Sequence, residues 1–240
     1  GSTGVLAVTY PATRLLYPRR VPRVTGIMGL CFGDPTWQAA ISDFVVQVKG
    51  TCMAVSGPRV LEVALSEKIS PEELGGWKLH AEVTGQVDAF AEDDEHCLKI
   101  IREFLSYLSS HCDEEPPFVT PEDPPDRKTE KLMTIIPDVS TRAYDMTRVI
   151  KDMVDDGKMF ILKPFFGKAL ITCLARMNGR VVGILANQVL YNVGAAGAQE
   201  CEKATSFIVL CDSFNIPIIN LADTPGFLVG KEAERNKIPT

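Results

Sequence analysis

Histidine is scarce in this 240-residue chain. Only His80, His96 and His111 occur, and none has a serine or cysteine at a spacing that would build a nucleophilic triad. There is no HExxH, no P-loop and no GxGxxG run, so metallopeptidase, P-loop and dinucleotide-binding chemistries find no support. The seven cysteines (Cys31, Cys52, Cys97, Cys112, Cys173, Cys201 and Cys211) are odd in number and never form a CxxC pair. That excludes zinc-ribbon spacing and gives no disulfide framework; in apolar surroundings a thiol behaves as a small hydrophobe, and a reducing compartment fits. No apolar run approaches the roughly 18–20 residues of a membrane span, and no signal-peptide pattern opens the chain. Positive charge is also short: 25 Lys and Arg face 31 Asp and Glu, for a net charge of −6. This balance argues against a nucleic-acid surface. Arg14, Arg19, Arg20 and Arg23 crowd the first stretch and read as a solvated face, with phosphate contact as the alternative.

What is present is a chain with 45% hydrophobic residues, enough for a sizeable core in one or two domains. Residues 113–130, DEEPPFVTPEDPPDRKTE, divide it with five prolines and seven acidic residues. Proline removes backbone donors and like charges keep a chain extended, so the segment reads as an interdomain linker, a long surface loop being the alternative. Before it, VTGIMG (24–29), DFVVQVK (43–49) and residues 51–56 read as short buried strands. A helix is expected over 59–67. Ser70-Pro71-Glu72-Glu73 starts another with a capping box, ended by Gly75-Gly76. From Asp94 to about Ser110, Leu98, Ile101, Leu105 and Leu108 fall on one helical face, with His96 and His111 at the two ends of the polar face. After the divide, Met146, Val149, Ile150 and Met153 predict an amphipathic helix stopped by Gly157. Runs 169–176 and 180–186 flank Asn178-Gly179, a type I′ hairpin signal. A helix near 198–214 and an apolar strand, 216–221, lead into Asp223-Thr224-Pro225-Gly226-Phe227. Strands alternating with helices on both sides predict α/β architecture in each part.

Without catalytic side chains, chemistry can still come from backbone amides aimed at a developing oxyanion, and glycine is preferred where the main chain must approach a ligand. Two strand-to-helix turns qualify. Gly29-Leu30-Cys31-Phe32-Gly33-Asp34-Pro35 follows the first strand run. Gly194-Ala195-Ala196-Gly197 precedes the 198–214 helix, where its amides would be presented to an anion. Either turn taken alone is more often ordinary turn chemistry.

Four segments in the same order resemble the acyl-CoA carboxyltransferase subunits of biotin-dependent carboxylases, the propionyl-CoA carboxylase β-like family. They are GLCFGDPTWQAAISDFVVQVKGTCMAVSGP, SPEELGGWKLHAEVTGQVDAFAEDD, ARMNGRVVGILANQ and CDSFNIPIINLADTPGFLVG. The resemblance covers the chain from about residue 21 onward, while the first 20 residues match poorly. It implies an internal portion of a longer subunit: the second half of one crotonase-like β/α spiral lobe (1–112), a linker (113–130) and the first half of a second lobe (131–240). It further implies carboxyl transfer from carboxybiotin to the α-carbon of an acyl-CoA, with backbone amides stabilising the thioester enolate. Biotin would arrive on a carrier protein. The implied partners are a biotin carboxylase and biotin carrier subunit and further copies in a homo-oligomer, in the cytoplasm or a mitochondrial matrix.

Carried over position by position, Gly33 and Asp34 occupy the place of the family's oxyanion glycine pair, with aspartate in place of the second glycine. Gly194-Ala195 matches a Ser-Gly-Cys turn of the second lobe. Gly75, Gly76 and His80 match an LGG-x-x-x-H segment near the acyl-CoA site; a helix end and a packed histidine are the plain alternative. No metal site is expected. Two other readings stay open: a biotin-linked acyl-CoA decarboxylase, and an inert carboxyltransferase-like scaffold suggested by Asp34.

Overall fold

The computed structural model describes residues 19–124, 126–139 and 142–235; Arg14 lies outside them. The chain divides into two compact units, one running to Leu105 and including Ser110–Asp113, the other comprising Ser106–Ser109 and everything from Glu114 on.

In the first unit the elements run β1 (Val24–Ile27), β2 (Leu30–Phe32), α1 (Asp34–Ala40), β3 (Phe44–Val48), β4 (Cys52–Ala54), α2 (Pro58–Leu65), α3 (Pro71–Gly75), β5 (Ala89–Ala91) and α4 (Asp94–Leu105). A π-helical turn, Leu79–Val83, lies between α3 and β5. β1, β3 and β5 form a parallel sheet in that order, and β2 pairs with β4, also parallel. Every residue of β3 is buried, as the near-continuous apolar run FVVQV predicts for the central strand of a parallel sheet. Ser70 caps α3 as expected, its hydroxyl accepting from the Glu73 N–H at 3.2 Å.

Helix α4 differs from the expectation. It ends at Leu105, so His111 lies beyond it. Its packed face runs through Cys97 and Phe104, leaving Leu98 and Leu105 substantially exposed. The reason is aromatic: the Phe104 ring stacks on Phe44 of β3, centroids 4.1 Å apart and 10° from parallel, which turns the helix toward its bulkiest side chain.

The second unit contains α5 (Leu132–Ile135), α6 (Met146–Met153), β6 (Met159–Leu162), β7 (Leu170–Met177), β8 (Arg180–Asn187), α7 (Ala198–Ser213), β9 (Ile218–Leu221) and α8 (Lys231–Arg235). The sheet order is β6-β7-β8-β9: the first two pairings are antiparallel and β8–β9 is parallel, with α7 as the crossover that a parallel connection needs. Asn178 and Gly179, both with positive φ, make the expected tight turn between β7 and β8. Met146, Val149 and Ile150 of α6 pack with Ile171, Cys173 and Ile184 of the sheet. Asp145 caps α6 by accepting from the Thr147 N–H at 3.0 Å.

The acidic, proline-rich stretch does not run free as a linker. Residues from 114 onward belong to the second unit and are tied to it. The Val119 N–H donates to Gly179 O (3.0 Å), Asp123 accepts from the Asp156 N–H (2.8 Å), and Arg127 reaches Asp123 (3.2 Å) and Val154 O (3.1 Å). Composition registers the missing donors and the like charges, but not the backbone groups on the second unit that accept and donate in their place.

Gly179 is the anchor of this attachment: its φ is +77°, and a Cβ there would come 2.4 Å from both the Phe118 ring and Val119 O. Gly179→Ala is therefore expected to lower unfolding free energy by about 2 kcal/mol or more. In limited proteolysis it should expose the 114–124 stretch to cleavage that the parent protein resists; equal cleavage rates would refute the anchoring role.

Candidate functional site

At the first predicted site, β2 delivers the chain to Gly33, whose φ of 71° and ψ of −126° suit only glycine. The Gly33 N–H donates to Val55 O at 3.0 Å, and its carbonyl accepts from Thr36 and Trp37. The Thr36 hydroxyl contacts both Cys31 O (2.9 Å) and Ala54 O (2.8 Å), pinning α1 to β2 and β4 together. Of the expected pair of main-chain donors, Gly33 is thus already committed to protein. Pro35 has no N–H, and the Asp34 N–H donates to nothing among the described residues. One donor remains, not two.

Two concavities meet at this bend. Gly33, Thr36 and Trp37 help to line a cleft of about 770 Å³, with Met53, Leu74 and His80 on its other sides. Asp34 instead lines a smaller hollow of about 350 Å³ with Gly29, Pro35 and Gln38. Asp34 is thus a residue of the small hollow and does not line the large cleft.

Gly75 and His80 come together around one atom, the carbonyl oxygen of Met53 in β4, while Gly76 packs against Glu72. A Cβ on Gly75 would stand 2.1 Å from that oxygen, and one on Gly76 would stand 2.5 Å from Glu72 O. His80 is buried, with Nε2 2.7 Å from Met53 O and Nδ1 3.1 Å from the Thr84 hydroxyl. A carbonyl only accepts, so Nε2 carries the proton and Nδ1 of the neutral ring accepts from Thr84. Burial holds the His80 pKa below its ordinary value, against the opposing effect of the Met53 bond. Gln47, fully buried in β3, completes the framework: Nε2 donates to Gly75 O (2.9 Å) and Thr51 O (3.3 Å), while Oε1 is buried without a partner. Reasoning from the sequence missed Gln47, Met53 and Thr36, since nothing local in one sequence marks a residue whose role is to hold a distant backbone group.

The second predicted site is closed. The N–H groups of Gly194 and Ala195 donate to Tyr191 O (2.8 Å) and Asn192 O (2.9 Å), that of Ala196 to Gly226 O (3.1 Å), and that of Gly197 to the Glu200 carboxylate (2.9 Å). The expectation of outward amides at 194–197 fails because a left-handed turn, Asn192-Val193-Gly194, folds them back onto protein acceptors. Beside it lies a polar cluster at the ends of β8 and β9. The Tyr144 hydroxyl donates to Asp223 (2.7 Å), Asn187 accepts from the Asp223 N–H (3.3 Å), and Asn187 donates to Gly194 O (2.9 Å). Burial, then the hydrogen bond to Asp223, pushes the Tyr144 pKa up to about 12.

Two buried charges on α7 hold the β6–β7 turn. Glu200 accepts from the Ala169 N–H (3.2 Å). Lys203 Nζ donates to Leu170 O (2.7 Å), Phe166 O (3.0 Å) and Gly167 O (3.4 Å). Burial pulls the Lys203 pKa down to about 7, with Glu200 opposing the shift.

These features set the comparisons with known proteins. Residues 7–239 match the carboxyl transferase domain. The chain belongs to that family. The match begins at residue 7, earlier than the resemblance read from the motifs. Among relatives, the α-subunit of methylmalonyl-CoA decarboxylase from Veillonella parvula is 39% identical over 89% of this chain and 42% of its own length. The carboxyltransferase subunit of propionyl-CoA carboxylase from Haloferax mediterranei is 37% identical over 91% of this chain and 42% of its own. The crystal structure of the transcarboxylase 12S hexamer, with hydrolysed methylmalonyl-coenzyme A bound, superposes with a TM-score of 0.87 at 36% identity. That superposition covers 92% of this chain and 44% of the 12S chain. The fold is thus crotonase-like α/β, and the chain spans less than half the length of these relatives.

Between pH 7 and 10.5 an unfolded Lys203 keeps its proton and the folded one releases it, so the unfolded state binds more protons and rising pH favours folding. Chemical denaturation should show stability climbing by up to about 1 kcal/mol per pH unit between about pH 7 and 8.5, below the range of the thiols. In Lys203→Met the whole curve should drop and this slope vanish; an unchanged slope would assign it elsewhere.

Proposed function

We propose that the protein is part of a carboxyltransferase that moves a carboxyl group onto, or off, the α-carbon of an acyl-CoA thioester, with carboxybiotin on a carrier protein as the other partner. The observation that carries this reading is the family match along residues 7–239, joined to one N–H, that of Asp34, left without a protein acceptor among the described residues and next in the chain to Gly33, which lines the cleft. A thioester oxygen that gains charge as the α-proton or α-carboxyl leaves needs a fixed donor, and a preorganised main-chain N–H supplies it without reorganisation. Trp37, Met53 and Leu74 give the neighbouring cleft aliphatic and aromatic walls, suited to the apolar arm of a thioester. His80, neutral and occupied on both nitrogens, shapes the wall and moves no proton.

Biotin supplies the carboxyl carrier in this reading, but the Gly194–Ala195 amides do not fit its ureido oxygen because both already donate to protein. Decarboxylation is the second reading, favoured by the 39% identity to a methylmalonyl-CoA decarboxylase α-subunit.

The test supplies the full-length subunit, in its assembly, with carboxylated biotin carrier and several acyl-CoAs, and measures labelled carboxyl in each direction. Asp34→Pro removes the N–H together with the carboxylate and should cut turnover by about 100-fold or more, whereas Asp34→Gly, which removes the carboxylate alone and keeps the N–H, should stay within about threefold of the parent. Equal rates for all three, or no product from any acyl-CoA, would sink the proposal.

A further inference from the structure

A third concavity, wholly within the second unit, has no part in the proposed carboxyl transfer. It is a hollow of about 410 Å³ between α5 and α6, lined by Lys131, Thr134, Ile135, Arg148, Lys151 and Asp152. Three of its six residues are cationic and one is acidic, in a chain whose net charge is −6. Arg148 and Lys151 stand three residues apart on α6, where like charges are neighbours and repel. Lys131, immediately before α5, brings a third positive charge to the same hollow. Among the described residues none of the three makes a salt bridge, and the one carboxylate, that of Asp152, pairs at 4.0 Å with Arg127 instead. Thr134 donates its hydroxyl proton to Lys131 O (2.8 Å), which fixes the start of α5, and buried Ile135 gives the hollow an apolar floor.

Lys131, Arg148 and Lys151 are all exposed and concentrate positive charge around one hollow, with Arg148 also near the Asp145 carboxylate, so an anion entering the hollow meets a locally favourable field. Guanidinium and ammonium donors on two different elements suit the several oxygens of a phosphate, and the volume admits a phosphorylated small molecule rather than a bare ion alone. We propose that this hollow binds the phosphate groups of a small phosphorylated ligand, with Arg148 and Lys151 as the principal contacts and Lys131 as the third. Two sources share that chemistry: a free nucleotide or polyphosphate, and the phosphorylated end of coenzyme A.

Calorimetric titration of the full-length protein with pyrophosphate, ATP, CoA and phosphate-free pantetheine separates them. Pyrophosphate and ATP binding, weakened about tenfold or more in Arg148→Glu/Lys151→Glu and by added salt, is the expected result. CoA binding lost in the same variant, with pantetheine inert, would assign the site to the CoA phosphates. Lys131→Glu, on a separate element, gives an independent loss, and an unchanged thermal transition without ligand certifies each variant's fold. Affinities equal within about twofold in parent and variants, or no heat from any phosphorylated ligand at millimolar concentration, would overturn the proposal. Carboxyl transfer by the Arg148→Glu/Lys151→Glu protein reports separately on the active site, so the two readings fail independently.

Discussion

Met53 offers a single carbonyl oxygen to the interior of the first unit, and the arrangement of the cleft follows from what can approach it. Helix α3 ends against it so closely that no side chain can occupy position 75, and His80 must lie within hydrogen-bonding reach to satisfy it. Gln47 holds the other side of that helix end through Gly75 O. Three elements far apart in sequence are thereby brought to one point on β4, and the strand that carries Met53 is also the one to which Thr36 ties α1. The floor of the cleft and the bend at Gly33 are parts of one framework, because both hang on the same short strand. Loss of any one contact would leave a buried polar group unpaired, which costs more than the bond itself contributes.

This economy explains why the chain could be read as an enzyme without any acid–base side chain in view. Catalysis by main-chain amides leaves little trace in residue identity. A tight turn does leave a trace, glycine where φ is positive and proline where a donor is not needed, and Gly33 and Pro35 are both of this kind. The sequence could not show that the Gly33 amide is consumed by Val55, because that depends on the register between β2 and β4. For the same reason the turn at Gly194 misled: glycine, alanine and a following helix match an anion-binding turn locally, and only the left-handed conformation of Asn192 and Val193 sends the amides inward.

Elements whose signals are local were legible. Ser70-Pro71 marks a helix start by chemistry contained in four residues, Asn178-Gly179 marks a hairpin in two, and the α6 stripe at 146, 149 and 150 is buried as its spacing demands. Elements set by distant partners were not. Helix α1 follows the expected strand-to-helix turn, but the Thr36 contacts that tie it to two strands could not be read from DPTWQAA. The proline-rich segment shows the same limit from the other side: its composition describes a chain that cannot form its own ladder, yet donors and acceptors on the second unit hold it in place.

The placement of the thiols has a practical consequence. Five of the seven cysteines are buried, and Cys173 and Cys211 are pushed up to about 12 by that burial, while Cys112 and Cys201 are partly accessible. Since the thiolate is the reactive form, an alkylating reagent near neutrality meets two populations with very different rates. The slow population, spread over both units, becomes a built-in clock for how often each one opens.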